Sequence, residues 1–552
     1  MLVTRFAIVL TCSFALCAHE QLEVPRFPQT RYFKRHFFER PAAPSVQPPA
    51  RVAELLVDGT LELSMRSYLE VVLSNNTEIQ IQKSSIEPLR NAITRALAPF
   101  DPSVSASFQA NRSTTPSYSA LEGAERLSQL RQPLRFSFQQ TLQNGTQFIA
   151  GFEGSKSSTN NRFATFNPAL NANMTLGFTA PLLRNRGRRV NLLPVLIART
   201  QYEGSRFTVE SQLNRIVEEA QDAYWTVVEA RENLRVQVRS LESLAAVIKR
   251  HEREVELGEM APVDIHQSEQ AYASRELALT EARYRLRQAQ DTLRRTMGID
   301  LDPALQHIPI ELTESLASLE VPDINADHWI KVALERRPDL KAGTMALEVD
   351  DLLFRQSQNA LLPEVSLNAT YTSSGRGGHL LQRTDYFAPD GTVGEVVRTI
   401  PGGLGDAVGQ VLGFGFPTYS FGIGVRLPLR DRRAAADLAD ANAAKRLDTL
   451  RLRSIQQQIR LEVLNAVNRV ERSRDGIRLA EKSVDIAAKR LEAERRKYAR
   501  GVTTIFLLLD AENSLTRAEA DLVERSVRYQ RDLGRLLAAS AMSLSKVGIV
   551  VQ

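Results

Sequence analysis

Residues 174–182 read Met-Thr-Leu-Gly-Phe-Thr-Ala-Pro-Leu, and residues 421–429 read Phe-Gly-Ile-Gly-Val-Arg-Leu-Pro-Leu. In both stretches apolar side chains alternate with small or polar ones. Because successive side chains of a β-strand point to opposite faces, each stretch predicts a strand with one apolar face. The same alternation occurs at residues 103–110 and 365–371. Such segments are typical of outer-membrane β-barrels, although a half-buried strand of a water-soluble protein has the same pattern.

The four predicted strands occupy corresponding places in two copies of one sequence pattern. Residues 76–79, Asn-Thr-Glu-Ile, correspond to residues 337–340, Arg-Pro-Asp-Leu. Further matches follow along both copies. Internal repetition of this kind predicts two homologous halves, residues 59–300 and 322–552, joined by a linker at 301–321.

Each half has the same predicted order: a helix, a strand, a long loop, a second strand, a very long helix, a tight turn and a returning helix. The long helices are predicted at residues 194–257 and 434–500, where apolar residues recur at steps of three and four. This step keeps one apolar seam against a neighbouring helix and predicts coiled-coil packing. A structural periplasmic coiled-coil or adaptor-type protein without a membrane barrel remains the alternative. It explains the helices but leaves the alternating strands unexplained.

The predicted loops, residues 113–171 and 372–419, are rich in Gly, Ser, Asn and Thr. Within the first loop, Asn144-Gly145 lies between two apolar segments, which strongly predicts a β-hairpin. Whether this hairpin, residues 134–153, extends the barrel or lies on its outer rim stays open.

The first 18 residues have the pattern of a signal peptide, since a basic residue precedes an apolar run too short to span a bilayer. We therefore expect an exported chain. Residues 19–58 are predicted to be a proline-rich linker with a basic and aromatic run at 31–38. The only cysteines, Cys12 and Cys17, fall in the signal, which excludes a disulfide framework from the body of the protein. Lipidation of Cys17 is disfavoured, because bulky Leu16 stands where a small residue is expected.

Composition and charge argue against several classes of function. The chain of 552 residues carries 70 Lys+Arg and 64 Asp+Glu, so its net charge of +6 is small and does not indicate nucleic-acid binding. Its seven histidines include no pair at ligand spacing, and no catalytic triad, phosphate-binding loop or metal cluster is recognisable. We therefore expect no enzyme, no cofactor and no metal site.

Four strands cannot close a membrane barrel by themselves, because even a small barrel takes about eight. Open strand edges carry backbone groups that cannot find hydrogen-bond partners in hydrocarbon. If the strands cross a membrane, several copies of the chain must join.

Several motifs resemble the TolC family of outer-membrane efflux proteins. They are Leu-Ser-Asn-Asn at 73–76, Ala-Leu-Glu-Arg-Arg-Pro-Asp-Leu at 333–340, the Pro-Leu strand ends, the turns at Gly258 and Gly501, and Phe-Leu-Leu-Leu-Asp-Ala-Glu-Asn-Ser-Leu at 506–515. The resemblance covers nearly all of the chain after residue 58. It implies a mainly α-helical homotrimer with a twelve-strand outer-membrane β-barrel, four strands per chain, continued by a long periplasmic α-helical coiled-coil barrel.

The resemblance also implies a function and partners. The trimer would be the exit duct of a tripartite efflux or type I secretion system, set in outer-membrane lipid. Its periplasmic end would dock on a periplasmic adaptor protein of an inner-membrane pump. The residues do not distinguish drugs, metals or proteins as cargo.

Finally, the resemblance assigns roles to residues at the turns. The adaptor contacts would be Leu257, Gly258, Glu259, Arg500, Gly501 and Val502. The periplasmic gate would comprise Asp264, Tyr498, Thr503, Phe506, Leu507 and Asp510. Thr503 and Leu507 depart from the family pattern, in which an arginine and a second acid can occur, so we expect a less charged gate closed by Phe506 and Leu507.

Two features near the turns have simpler explanations. Asp264 falls in the first turn of a helix, where an acid also complements the helix dipole. His251 and His266 flank the turn, and we expect both to be solvated.

Overall fold

The computed structural model describes residues 52–118, 123–257, 262–314, 325–385 and 393–543. The predicted signal peptide and Cys17 lie outside these residues. The chain divides into two compact units. The first comprises the described parts of Met1–Pro88, Tyr202–Met345 and Thr449–Gln552, and the second comprises those of Leu89–Gln201 and Ala346–Asp448.

Long helices dominate the described residues. The α-helices are α1 Met65–Asn75, α2 Thr77–Ser84, α3 Glu87–Leu97, α4 Arg188–Asn191, α5 Leu193–Glu256, α6 Pro262–Thr296, α7 Ala326–Arg336, α8 Pro338–Ala360, α9 Leu404–Leu412, α10 Arg432–Tyr498 and α11 Ile505–Ala539. The two predicted long helices are confirmed as α5 and α10, of 64 and 67 residues. Side-chain caps fix some helix starts: Ser64 Oγ accepts a hydrogen bond from the amide of Ser67 (3.1 Å), which the first turn of α1 leaves unpaired.

The strands form two sheets. They are β1 Leu56–Val57, β2 Thr60–Leu63, β3 Ser103–Phe108, β4 Asn111–Pro116, β5 Arg126–Thr141, β6 Gln147–Thr159, β7 Phe166–Pro181, β8 Ile310–Leu312, β9 Glu364–Arg383, β10 Val396–Ile400 and β11 Phe416–Arg426. Strands β1, β2 and β8 form a three-stranded sheet in the first unit, and the other eight form one sheet in the second. Part of each segment expected to be a linker, 19–58 and 301–321, is therefore a strand.

The eight-stranded sheet has six strand positions side by side, because each edge consists of two strands in line. At one edge β3 and β4 pair in succession with β5, and the break between them lies opposite Pro133, which has no N–H to offer. The order continues through β6, β7 and β9. At the other edge β10 and β11 both pair with β9, and α9 lies between them in the chain.

The predicted hairpin lies inside this sheet. Strand β5 pairs with β6, and β6 pairs with β7, so the hairpin separates β3 from β7. The four strands predicted from alternation correspond to β3, β7, β9 and β11, although three of the predicted segments extend one to three residues past the strand ends. The sheet of one chain has two more positions than the four strands expected, because the hairpin β5–β6 adds two.

The predicted long loops at 113–171 and 372–419 are wrong for most of their length. The first contains most of β4, all of β5 and β6 and the start of β7, and the second contains the far half of β9, β10 and α9. Ser, Thr and Asn are acceptable in a strand whose backbone groups find partners in neighbouring strands. Their abundance therefore reflected polar strand surfaces and not irregular chain.

Cross-strand pairing gives the large sheet an apolar face and a polar face. On the apolar face Phe136 lies opposite Phe152, which lies opposite Met174. Val104, Phe108, Leu176, Phe178, Phe421, Ile423 and Val425 share this face, and all are exposed in the single chain. The polar face carries Ser105, Ser137, Asn173, Thr175, Thr372, and Arg135 paired with Glu153 at 2.9 Å.

The predicted apolar seam of α5 is confirmed in the first unit. Val209, Leu213, Ile216, Ala220, Ala223 and Val227 are buried, and Ala230 and Leu234 further along the seam are half-buried. The buried residues join a core that also contains the rings of Tyr68 and Tyr224, whose centroids lie 5.6 Å apart. This packing is what steps of three and four produce when one stripe of a helix faces its neighbours.

Candidate gate at the turns of the long helices

The turn between α10 and α11 ends one long helix and begins the return. Gly501 has φ of +69°, a conformation that glycine adopts without strain. The amide of Gly501 donates to the carbonyl of Tyr498 (2.9 Å), and the amide of Val502 donates to that of Lys497 (3.0 Å). This pair of bonds is the Schellman arrangement, which satisfies carbonyls that the helix end leaves free.

The candidate adaptor contacts at this turn and at the end of α5 project outward. Val502 is 74% exposed and Leu257 is 67% exposed, and Arg500 is also exposed. Gly258 and Glu259 lie outside the described residues. The apolar exposure at Leu257 and Val502 is unusual for a helix turn facing water alone, since turns favour polar residues.

A histidine connects Tyr498 to two other helices. The Tyr498 hydroxyl lies 3.1 Å from His251 Nε2 on α5, and His251 Nδ1 lies 2.9 Å from Ser268 Oγ on α6. The ring centroids of His251 and Tyr498 are 5.7 Å apart. The expectation that His251 is solvated is wrong, because its side chain is fully buried where α5, α6 and α10 meet. His266, in contrast, is exposed as expected and pairs with Glu269.

Burial lowers the pKa of His251 below its usual range, because the charged imidazolium loses its hydration. The carboxylates of Glu254 and Glu512 oppose this shift, and the guanidinium of Arg250 adds to it. His251 is therefore neutral at pH 7. A neutral imidazole donates from one ring nitrogen and accepts at the other, which suits two hydroxyl partners.

The remaining candidate gate residues divide into polar and apolar groups. Thr503 Oγ1 donates to Glu494 Oε2 (3.1 Å), and Asp510 pairs with Arg490 at 2.8 Å. Phe506 and Leu507 are exposed, whereas the residues beside them on α11, Ile505 and Leu508, are buried. The side chain of Asp264 lies outside the described residues, so its pairing with Tyr498 stays a prediction.

A charge cluster around the buried carboxylate of Glu512 also connects the two hairpins. The carboxylate of Glu512, 3% exposed, accepts hydrogen bonds from Arg275 on α6 (3.4 Å) and Arg495 on α10 (3.0 Å). Arg275 also donates to the carbonyl of Ser240 on α5 (2.9 Å). The cluster thus joins all four helices of the two hairpins. The sequence gives no sign of this cluster, because Glu512 lies in the polar run Asp-Ala-Glu-Asn-Ser at 510–514.

Among the described residues, no group of three or more potential metal ligands occurs. None of the helices within the described ranges is both long and apolar enough to cross a membrane.

The family comparison decides what this combination of sheet and hairpins is. The model of the outer membrane efflux protein family matches residues 68–299 and 329–541. The chain belongs to the outer membrane efflux protein family. It is accordingly an outer membrane efflux channel that spans the periplasm. In an outer-membrane barrel the apolar face of such a sheet is the one that meets lipid.

Solved structures show the same fold. A membrane protein from Pseudomonas aeruginosa is 19% identical, with 91% of this chain and 96% of that chain covered at a TM-score of 0.60. The Campylobacter jejuni outer membrane channel CmeC is 13% identical, with 95% and 94% covered at 0.60. The Vibrio cholerae outer membrane protein VceC is 15% identical, with 86% and 95% covered at 0.59. A comparison with curated proteins finds no match.

Proposed function

We propose that three copies of this chain close a single channel that serves as the exit duct of a tripartite efflux or secretion system. The observation that carries the proposal is the large sheet, whose two edge positions, β3 with β4 and β10 with β11, are unpaired on their outer sides among the residues that the structure describes. In lipid such edges must find partners. Pairing the edge of one copy with the opposite edge of the next satisfies both, and the family's trimers supply the number three.

The width of the sheet sets the width of this barrel. With six positions from each of three chains, about eighteen strands would surround the lumen, in place of the twelve implied by the resemblance. Barrels of that size enclose an aqueous channel. Hydroxyl and amide side chains such as Ser137, Asn173 and Thr175 would line it, which suits solutes that keep their hydration.

The turns would provide docking and closure. Leu257, Gly258, Glu259, Arg500, Gly501 and Val502 would contact a periplasmic adaptor protein bound to an inner-membrane pump. Asp264, Tyr498, Thr503 and Asp510 would hold the inner end closed, with Phe506 and Leu507 as an apolar constriction. A passive duct needs no catalytic group, since the energy for transport would come from the pump.

Engineered disulfides between copies test the proposal. In a Cys12→Ser, Cys17→Ser background, the double variant Ser105→Cys with Gly424→Cys places one thiol on each edge of the sheet, both on the polar face. A single chain does not determine the strand register between copies, so Gly422→Cys replaces Gly424→Cys in a second variant. We expect oxidation of the cysteine pairs in isolated membranes to give covalent dimers and trimers on denaturing gels.

The control is the pair Gly151→Cys with Gly424→Cys, since Gly151 lies on the interior strand β6 and has no neighbouring copy beside it. Absence of cross-links in both edge variants, together with protein that remains in solution without detergent, would rule out the barrel and favour the structural coiled-coil alternative.

A further inference from the structure

We propose that helix α9 lies on the outside of the barrel, in the outer leaflet of the membrane, and anchors the channel there by contact with lipid acyl chains. The proposal rests on the assignment of the apolar sheet face to lipid. It concerns a segment expected from the sequence to be part of a loop.

Helix α9 interrupts an edge of the sheet. Strands β10 and β11 both pair with β9 and run in the same direction, so they occupy one strand position. The chain leaves this position after Ile400, forms α9, and returns at Phe416. The excursion falls towards the ends of β9 and β11 that are remote from α8 and α10. In a channel whose long helices extend into the periplasm, these ends point to the outer leaflet.

The helix packs on the apolar face of the sheet. Ala407 and Val411 on its inner side are buried against Ala172 of β7, with Phe152 and Met174 beside them. Ala172 and Met174 are two residues apart on one strand, so they share a face. That face is the one that carries Leu176 and Phe178 and meets lipid.

Several contacts fix the helix in place. A Cβ at Gly375 would overlap the carbonyl oxygen of Ala407, so glycine is needed for the helix to approach β9 so closely. Ser373 Oγ donates to the carbonyl of Val411 (2.9 Å). The Gln410 amide pairs twice with the backbone of Arg376, accepting from its N–H and donating to its C=O at 3.0 Å each. Gln410 thereby supplies the hydrogen bonds that the interrupted edge strand would have made.

The outer side of α9 has the composition of a lipid-facing surface. Residues 399–425 contain a single charged residue, Asp406, whose carboxylate accepts a hydrogen bond from the amide of Gly403 at 2.7 Å. Leu412 is 64% exposed, and Leu404 and Phe414 are exposed with it. A helix on a protein surface in water normally carries charges on its outer side.

The exposed side of α9 continues an apolar band. Phe421 and Ile423 of β11 lie below it on the same face, and Tyr419 stands between them and the helix. A second copy does not explain the exposure, since copies would meet at the edge strands, whereas α9 covers the interior strands β7 and β9.

Spin-label accessibility tests the proposal. In the Cys12→Ser, Cys17→Ser background, Leu412→Cys and, separately, Leu404→Cys carry a nitroxide, and the protein is reconstituted in vesicles of phosphatidylethanolamine and phosphatidylglycerol. Oxygen concentrates in lipid and a nickel chelate stays in water. We expect both labels to be relaxed several-fold more by oxygen than by the nickel chelate.

Two labelled controls separate this proposal from the proposed function. Ile423→Cys lies on the apolar face of β11 and should respond to oxygen, and Ser137→Cys lies on the polar face and should respond to nickel. Preference for nickel at 412 and 404, or low access to both reagents, overturns the anchor if Ile423→Cys still reports lipid. If Ile423→Cys also reports water, the barrel assignment itself fails.

Discussion

At the scale of single residues, the link between Tyr498 and His251 is the clearest device near the proposed gate. Three helices from both hairpins meet at one buried imidazole, which hydrogen-bonds Tyr498 on one side and Ser268 on the other. Such a link holds the hairpins together only while its partners stay in place. Protonation or substitution of His251 should therefore weaken the contact between the hairpins.

We expect the stability of the hairpin contact to fall as the pH drops below about 6.5, the usual pKa of histidine. Burial lowers the pKa of His251 in the folded protein, so the unfolded chain takes up a proton first. Stability is therefore fully present above pH 6.5 and is lost below it, down to the folded pKa. Thermal unfolding of the wild type should show a steeper loss between pH 7 and pH 5 than that of His251→Gln, which stays neutral.

His266→Gln is the matched control, because His266 lies 15 residues along the same hairpin but is exposed. Its pH profile should follow the wild type. Identical slopes for the wild type and His251→Gln would show that the buried histidine does not titrate in this range.

In planar bilayers Tyr498→Phe, which removes only the hydroxyl, should raise the conductance of single channels if the link closes the gate.

At the scale of elements, the hairpin β5–β6 is fixed by its turn. Gly145 has φ of +89°, and a Cβ there would lie 2.5 Å from the carbonyl oxygen of Asn185 in the segment after β7. The carbonyl of Asn144 also accepts a hydrogen bond from the amide of Gly187 (3.0 Å). The turn therefore rests against the junction between β7 and α4, and its position sets the register of the hairpin.

Two glycine variants separate backbone strain from this contact. Gly145→Ala and Gly187→Ala both place alanine at a positive φ, a strain that costs about 1–3 kcal/mol. Only Gly145→Ala adds a clash with backbone, since nothing lies within 4 Å of a Cβ at Gly187. We expect Gly145→Ala to lower the midpoint temperature of unfolding of the channel clearly more than Gly187→Ala does, measured on denaturing gels loaded with samples heated to a series of temperatures. Equal losses would mean that the turn is free of its neighbour.

At the scale of the whole molecule, the number of strands per chain determines the width of the channel. A sheet of six positions makes a wider barrel than one of four, because barrel diameter rises roughly linearly with strand number. The extra width comes entirely from one hairpin. Removing residues 126–159 would leave β3 and β7, which run in opposite directions and can pair as neighbours.

We expect this hairpin deletion to lower the size of polyethylene glycol that enters the channel from the barrel side, measured as the loss of conductance in planar bilayers. The wild type should admit larger polymers than the deletion variant. The glycine variant Gly187→Ala, which keeps the hairpin, serves as the control. A folded deletion variant with the wild-type exclusion size would show that the hairpin does not line the barrel.

Much of this fold was predictable because the long helices and several strands have a regular spacing of apolar residues along the sequence. The steps of three and four predicted α5 and α10 as long helices with a buried stripe, and the predicted bounds lie within two residues of the observed ones. The alternation in β3, β7, β9 and β11 located four strands correctly. Alternation could not place the hairpin, because a hairpin on the rim and one inside the sheet have the same pattern. Nor could it find α9, whose nine residues include two glycines.

The candidate site was less predictable, because its chemistry depends on which helices cross. Tyr498 and the turn at Gly501 were identified from the family resemblance, and the turn geometry fits the glycine. The partner His251 was judged to be solvated, since a histidine near a turn gives no sign of its burial. Glu512 and Arg275 are 237 residues apart, so no local pattern relates them.

The sequence by itself determined the elements of this protein: two long coiled-coil hairpins and strands with one apolar face. These follow from periodicities of 3.6 and 2 residues, which the covalent chain imposes wherever one side must be buried. Only the tertiary structure decided the six strand positions of the sheet, the packing of α9 on β7 and β9, and the burial of His251. Each of these depends on contacts between residues far apart in the chain, which are chosen by packing and hydrogen bonding through space.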